Sequence, residues 1–261
     1  MKKQNPPSDV RDRKDHYAPQ GYLRGFIHPE RERHPKPHHV LDIKRNEWSE
    51  RSPSQIGWER GFYDYSPDSR PDGTAEDTFR YLENQLPAVR ERVRAKGHES
   101  WTEHRVLLVS FAAMMAARSP LFRSQSLSRI LPSMAADPQG EALAKNLAIT
   151  QMRHEILRRP KEWEQYDWVL GFTTNPAHPF ITSDQGVGMW GNGLTLADAY
   201  AANDFWLWCP LSWDMCMIAS SRPLTAESTS ELREEHVAEI QRLTRLQAAV
   251  FLASPTPLPH L

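Results

Sequence analysis

Twelve consecutive residues, Val106-Leu107-Leu108-Val109-Ser110-Phe111-Ala112-Ala113-Met114-Met115-Ala116-Ala117, carry a single hydroxyl and no charge. A helix of that composition is apolar nearly all round, and it is stable in water only when other elements cover every face. The run falls short of the roughly 18 apolar residues that a bilayer span requires. It reads as the buried central helix of a soluble protein. Ser100 and Glu103 form a capping box ahead of it, and Arg118-Ser119-Pro120 ends it.

The rest of the chain has to supply the cover. Phe79, Leu82, Leu86, Val89 and Val93 recur at spacings of three and four, an amphipathic helix that Thr74 and Asp77 cap and Pro87 kinks or splits. Asp137-Pro138 reads as an N-cap followed by proline at the first helical position, with Leu143, Leu147, Met152 and Ile156 on one face beyond it. Ser228 and Glu231 open a last helix bearing Val237, Ile240, Leu243, Leu246 and Val250. Val40 to Arg45, Trp168 to Thr173 and Pro179 to Thr182 read as strands, and Phe205 to Cys209 with Met215 to Ser220 as a hairpin. Residues 1–15 form a loose arm, residues 27–38 a loop of alternating charge and proline, and residues 48–73 a run of turns around Phe62-Tyr63. The expected fold is α+β, one domain over residues 1–261. It has a mostly helical body and a small, mostly antiparallel sheet in the C-terminal half.

Lysine plus arginine number 32 against 33 aspartate plus glutamate. That balance excludes a globally basic nucleic-acid binder but not a local basic surface. Residues 84–136 hold eight basic and three acidic side chains, and residues 161–214 one and seven. Nucleic acid, a protein partner or a second copy of the chain are therefore the partners to consider. With only two cysteines the chain is no disulfide scaffold. Its first residues lack the apolar stretch of a signal peptide, so the expected location is cytoplasmic, with no membrane segment. His28, His34, His38 and His39 with Asp42 lack the ligand spacing of a structural zinc site and read as an exposed loop. Cys209 and Cys216 have no second pair. Gly186-x-Gly188-x-x-Gly191 has the dinucleotide-fold spelling without the helix that should follow it.

Several stretches together match a known pattern. His16-Tyr17-Ala18-Pro19-Gln20-Gly21-Tyr22-Leu23-Arg24-Gly25-Phe26 resembles the opening motif, roughly His-x-x-Pro-x-x-Tyr-Leu-x-x-Phe, of the family called domain of unknown function 4238. Phe62-Tyr63, Leu82-Glu83, Arg118-Ser119-Pro120-Leu121-Phe122-Arg123, Pro179-Phe180-Ile181-Thr182-Ser183-Asp184 and Cys209-Pro210-Leu211-Ser212 follow in that family's order, so the resemblance covers about residues 14–253. Gly186 stands where the family commonly has proline, and Thr244 where its last helix commonly has asparagine. The resemblance implies a shared fold; no settled activity comes with it.

The chemistry-bearing candidates are His16, Glu83, Arg118, Ser183, Asp184 and Arg24. His16 is an acid, base or metal ligand, or a cap and backbone donor. Glu83 lies beside the apolar stripe of its helix and needs a partner there. It is either a general base or metal ligand, or one half of an ion pair with Arg118. Arg118, at the end of the most buried helix, grips an anion two-pronged or satisfies helix-end carbonyls. Asp184 ends an apolar strand before a glycine-rich loop, a position suited to metal or proton work or to an Asx turn. Arg24 points away from the packed Tyr22, Leu23 and Phe26, toward solvent or an anion, and Ser183 would assist in binding.

The leading expectation is a metal-assisted phosphodiester hydrolase, nuclease-like. In it His16, Glu83 and Asp184 hold Mg²⁺ or Mn²⁺, and Arg118, Arg24 and Ser183 bind substrate. The alternative is a non-enzymatic ligand- or protein-binding module in which the same residues form a structural network, with nine tryptophans available to anchor an interface. A transferase using a nucleotide cofactor is a third class, for which no phosphate-cradling loop is visible.

Overall fold

The computed structural model describes residues 14–65, 75–191, 204–224 and 229–258. At its centre, α3 (His98–Ala117) buries Leu108, Val109, Phe111, Ala112, Ala113, Met114, Met115 and Ala117. Around it lie α2 (Ala75–Lys96), α4 (Pro120–Met134) and α5 (Gly140–Trp163). α2 buries Phe79, Leu86, Val89 and Val93, and it runs through Pro87 without breaking, contrary to the expected kink. Burial of Leu86 and Val89 on either side holds the helix together across the missing donor. α3 begins at His98 after Gly97, not at a Ser100 cap, and the buried Ser100 hydroxyl has no hydrogen-bond partner among the described residues. α4 starts at Ser119, whose Oγ accepts the Phe122 amide at 3.2 Å. α5 starts at Gly140, after Asp137 has turned the chain by accepting the Gln139 amide at 2.7 Å. No single helix among the described residues is long and apolar enough to cross a membrane.

The sheets are mostly antiparallel, as expected, but they are not confined to the C-terminal half. β1 (Lys14–His16) pairs with β4 (Trp58–Arg60), where a loose arm and turns were expected. β2 (His38–Asp42) and β3 (Glu47–Arg51) form a hairpin, and β2 then pairs with β11 (Phe251–Ser254), which pairs with β6 (Thr182–Ser183). The larger sheet has the order β10-β5-β9-β8-β7. It combines β5 (Asp167–Phe172), β7 (Gly188–Gly191), the expected hairpin β8 (Phe205–Ser212) and β9 (Met215–Ser220), and the short parallel strand β10 (Thr229–Glu231).

Three further expectations change. The last helix, α6, spans Glu234–Gln247, so Glu231 belongs to β10 and Val250 lies beyond the helix. His38 is no loop residue: it is buried in β2, with its Nε2 2.7 Å from the Leu23 carbonyl. Gly188 and Gly191 bound a strand. The caps expected at Thr74 and Ser228 and the glycine at 193 lie outside the described residues, as does most of the arm before residue 14.

Gly186 has a φ of +65°, and a Cβ there would sit 2.5 Å from the Met115 Cε of α3. Proline, fixed near −65°, is incompatible with this backbone, which accounts for its absence at this position. Gly186→Ala is expected to cost about 1–3 kcal/mol from left-handed strain and crowding. Thermal unfolding followed by circular dichroism should show a midpoint several degrees lower.

Candidate functional site

The opening motif is held to the helical body by Arg118. Its side chain is 3% exposed, and each nitrogen of the guanidinium has a separate acceptor. Nε donates to the Tyr63 hydroxyl at 2.8 Å, Nη1 donates to Glu83 of α2, and Nη2 donates to the backbone carbonyl of His16. The Phe79 ring lies 4.4 Å beneath the cation. Burial pulls the Arg118 pKa down, but Tyr63 and Glu83 outweigh it and hold it above the usual arginine value. Each of its three nitrogens is engaged within the fold and the side chain is sealed from water, so Arg118 acts as a brace.

Asp184 is likewise engaged. Its Oδ1 accepts the amides of Ala249, Val250 and Phe251 at 3.0, 3.0 and 3.4 Å, and its Oδ2 accepts Gln185 Nε2 at 2.6 Å. Burial raises its pKa against the pull of those amides. The carboxylate fixes the turn between α6 and β11. Ser183 turns the backbone beside it, its Oγ accepting the Gln185 amide at 3.2 Å.

His16 is half-buried, with Gln20 Nε2 3.4 Å from its Nε2. Burial lowers its pKa. The expected donor set of His16, Glu83 and Asp184 is not gathered at one point. Among the described residues no three histidine, cysteine, aspartate or glutamate side chains are placed to hold a metal ion. Glu83 faces Arg118 and Asp184 faces a row of amides, so neither presents a free carboxylate.

An open site lies next to the brace. A cavity of about 510 Å³ is lined by Gln20, Arg24, Glu32, His34, Ser54 and Arg90, with Ile27 and three prolines completing the wall. α1 (Gln20–Leu23) directs Tyr22 and Leu23 into the core, which leaves Gln20 and Arg24 facing the cavity. Arg24 makes no hydrogen bond or ion pair among the described residues. Arg90, from α2, is the site residue that sequence reasoning missed. The signal was present: Arg90 stands four residues after Leu86 and three before Val93, inside the buried stripe. A second cavity, about 580 Å³, is bordered by α6 and the larger sheet and is mainly apolar. There Trp190 and Trp206, paired across β7 and β8, are partly exposed.

A family model matches residues 14–256. The chain belongs to the family described as protein of unknown function (DUF4238). No curated protein and no solved structure matches it. The DUF4238 match spans both the Arg118 brace and the arginine-lined cavity. At Thr244, where the family commonly has asparagine, the hydroxyl accepts Trp208 Nε1 at 2.9 Å and so keeps an acceptor for a buried indole.

Arg94 and Arg90 stand one turn apart on α2 with different surroundings. Arg94 donates to both oxygens of Asp214, at 2.7 and 2.8 Å, and Ser212 Oγ adds a bond at 2.6 Å. Burial pushes the Asp214 pKa up, but Arg94 and Ser212 prevail and hold it below the usual 3.8. A carboxylate with a depressed folded pKa stabilises fully above its unfolded pKa, and that stability is lost as pH falls through the folded value. Asp214→Asn should lose about 1–2 kcal/mol at neutral pH, less than a fully buried pair because Arg94 is partly open to solvent. The gap to the unmutated protein should close in urea melts taken at progressively lower pH, below the usual carboxylate range. For the brace, Arg118→Met should cost about 3–5 kcal/mol in the same assay, with the His16 carbonyl and Tyr63 hydroxyl losing their donor.

Proposed function

We infer that this protein is a ligand-binding module whose His, Arg and Asp residues serve structure, and that its ligand enters the arginine-lined cavity beside α1. The observation that carries the reading is the contrast in commitment. Arg118 and Asp184, the residues best suited to chemistry, are fully engaged within the fold, whereas Arg24 lines a cavity with no partner of its own. A cavity of this volume matches the 300–1,000 Å³ typical of small-molecule sites. We take the protein to be soluble and cytoplasmic. Its two cysteines are free and buried, in different hydrophobic clusters on adjacent strands, which supports a reducing compartment.

Metal-assisted phosphodiester hydrolysis is the second reading. The basic cavity favours it, since a phosphodiester is itself an anion, and it would need metal donors other than His16, Glu83 and Asp184.

The two readings separate in one set of assays. Purified protein is incubated with labelled single- and double-stranded DNA and RNA, with EDTA and then with Mg²⁺ or Mn²⁺. In parallel it is screened by thermal shift against small metabolites. The binding reading expects intact nucleic acid and compounds that raise the melting midpoint, with the rise abolished in Arg24→Ala. Metal-dependent cleavage that disappears in a folded Arg24→Ala variant would sink it in favour of the hydrolase.

A further inference from the structure

The helix α2 carries an internal comparison. Arg94 shows what a matched guanidinium looks like there, with Asp214 on two of its nitrogens. Arg90, one turn earlier, is more deeply buried, at 8% exposed, and lacks such a match. Its Nε is buried without a hydrogen bond. Its Nη1 reaches only the carbonyls of Gly21 and Leu211, both at 3.5 Å. Glu91 gives it only a loose, solvent-exposed ion pair, 3.7 Å from Nε, and makes its close contact with Arg94 at 2.6 Å. Burial, then the charge of Arg94, pull the Arg90 pKa below the usual arginine value, and Glu91 and Asp214 offset them only in part. A buried guanidinium in this state is costly to the fold unless an anion joins it.

The surroundings are shaped to admit that guanidinium. A Cβ on Gly25 would lie 2.3 Å from Arg90 Nη1 and 2.7 Å from the Leu211 carbonyl, so only glycine lets the chain pass this close. Gly25 directly follows Arg24, so the close approach at Gly25 places Arg24 on the same stretch of chain that meets Arg90. Both arginines line one cavity, in which Glu32 is the one carboxylate among the described lining residues.

We propose that this cavity binds a phosphate ester, its phosphate group held between the guanidinium groups of Arg90 and Arg24. The proposal rests on the ligand-binding reading and names the chemistry of the ligand. Two forks arriving from different elements suit a tetrahedral dianion, whose oxygens point in several directions; a carboxylate offers one plane. Gln20 and Ser54 add neutral donors to the wall. The cavity is larger than a phosphate ion, and Ile27 with Pro35, Pro37 and Pro53 gives the remainder of the ligand an apolar bed.

The test is calorimetric titration at fixed ionic strength with inorganic phosphate and phenyl phosphate, and with succinate and benzoate as carboxylate probes. The proposal expects saturable binding of both phosphates, phenyl phosphate the tighter. Loss of one charge-assisted fork in Arg24→Ala should weaken them roughly tenfold or more. Arg90→Lys, which keeps the charge and removes the fork, should weaken them similarly, and Arg233→Ala on the exposed start of α6 should change nothing. If Arg90→Lys unfolds, Arg24→Ala decides alone. Unchanged phosphate affinity in the cavity variants, or carboxylates binding as tightly as phosphates, overturns the proposal. If none of these anions binds while neutral compounds raise the melting midpoint in an Arg24-dependent way, the phosphate assignment fails and the ligand-binding reading stands. If nothing binds, both fail.

Discussion

A guanidinium sealed from water has to find an acceptor for each of its donor directions or destabilise the fold that holds it. Arg118 meets that demand with acceptors from three separate parts of the chain: a carbonyl of β1, a carboxylate of α2 and a phenol from the loop before α2. This single side chain therefore fixes the N-terminal segment, α2 and the end of α3 relative to one another. The consequence extends beyond the brace. Because the His16 carbonyl is pinned, α1 follows at a set position, and Gln20 and Arg24 are presented on one side while Tyr22 and Leu23 enter the core. On the opposite side, α2 carries Arg90 to the same cavity. The geometry of the open site is thus inherited from a residue that does not line it.

The four-stranded sheet and α6 are joined by a second device of the same kind, with the polarity reversed. There an anion, Asp184, collects three backbone donors from the turn that leads into β11. Tyr22 links the two regions through a 2.7 Å hydrogen bond to Thr182. The motif residues that mark the family are, in this chain, largely the ones that join its N-terminal and C-terminal parts.

Much of the fold was legible in the sequence where local pattern decides it. The run from Val106 to Ala117 admits one solution, and the β8–β9 hairpin and the stripe of α2 follow from period alone; in α5 the period found Met152 and Ile156, but Leu147 is exposed and Ala144, Ala148 and Ile149 take the buried face. What was not legible depends on distant partners. The last helix was carried on to Val250 because that residue continues a helical spacing, β11 beyond it was not read, and only pairing with β2 makes Phe251 to Ser254 a strand. Pro87 reads as a break, and tertiary burial overrides it. In the site, residue types were readable and roles were not. Nothing near Asp184 in sequence announces that residues 249–251 will turn their amides toward it. Arg24 was read as facing solvent or an anion, and it lines a cavity. Arg90 was visible as a charge within an apolar stripe, yet whether such a charge is matched or left open is settled only by its neighbours in space.

The order of the four-stranded sheet, β3-β2-β11-β6, bears on how the protein is made. β2 leaves the ribosome long before β11 and can form its hairpin with β3 at once. Its other edge, with Val40 and Leu41, has no partner until residues 251–254 have been synthesised. An unpaired strand edge with apolar side chains is a template for unwanted association, and pairing across so long a stretch of sequence is slow. The nascent chain must therefore carry an open edge while the long stretch between β2 and β11 is synthesised, and β11 closes it.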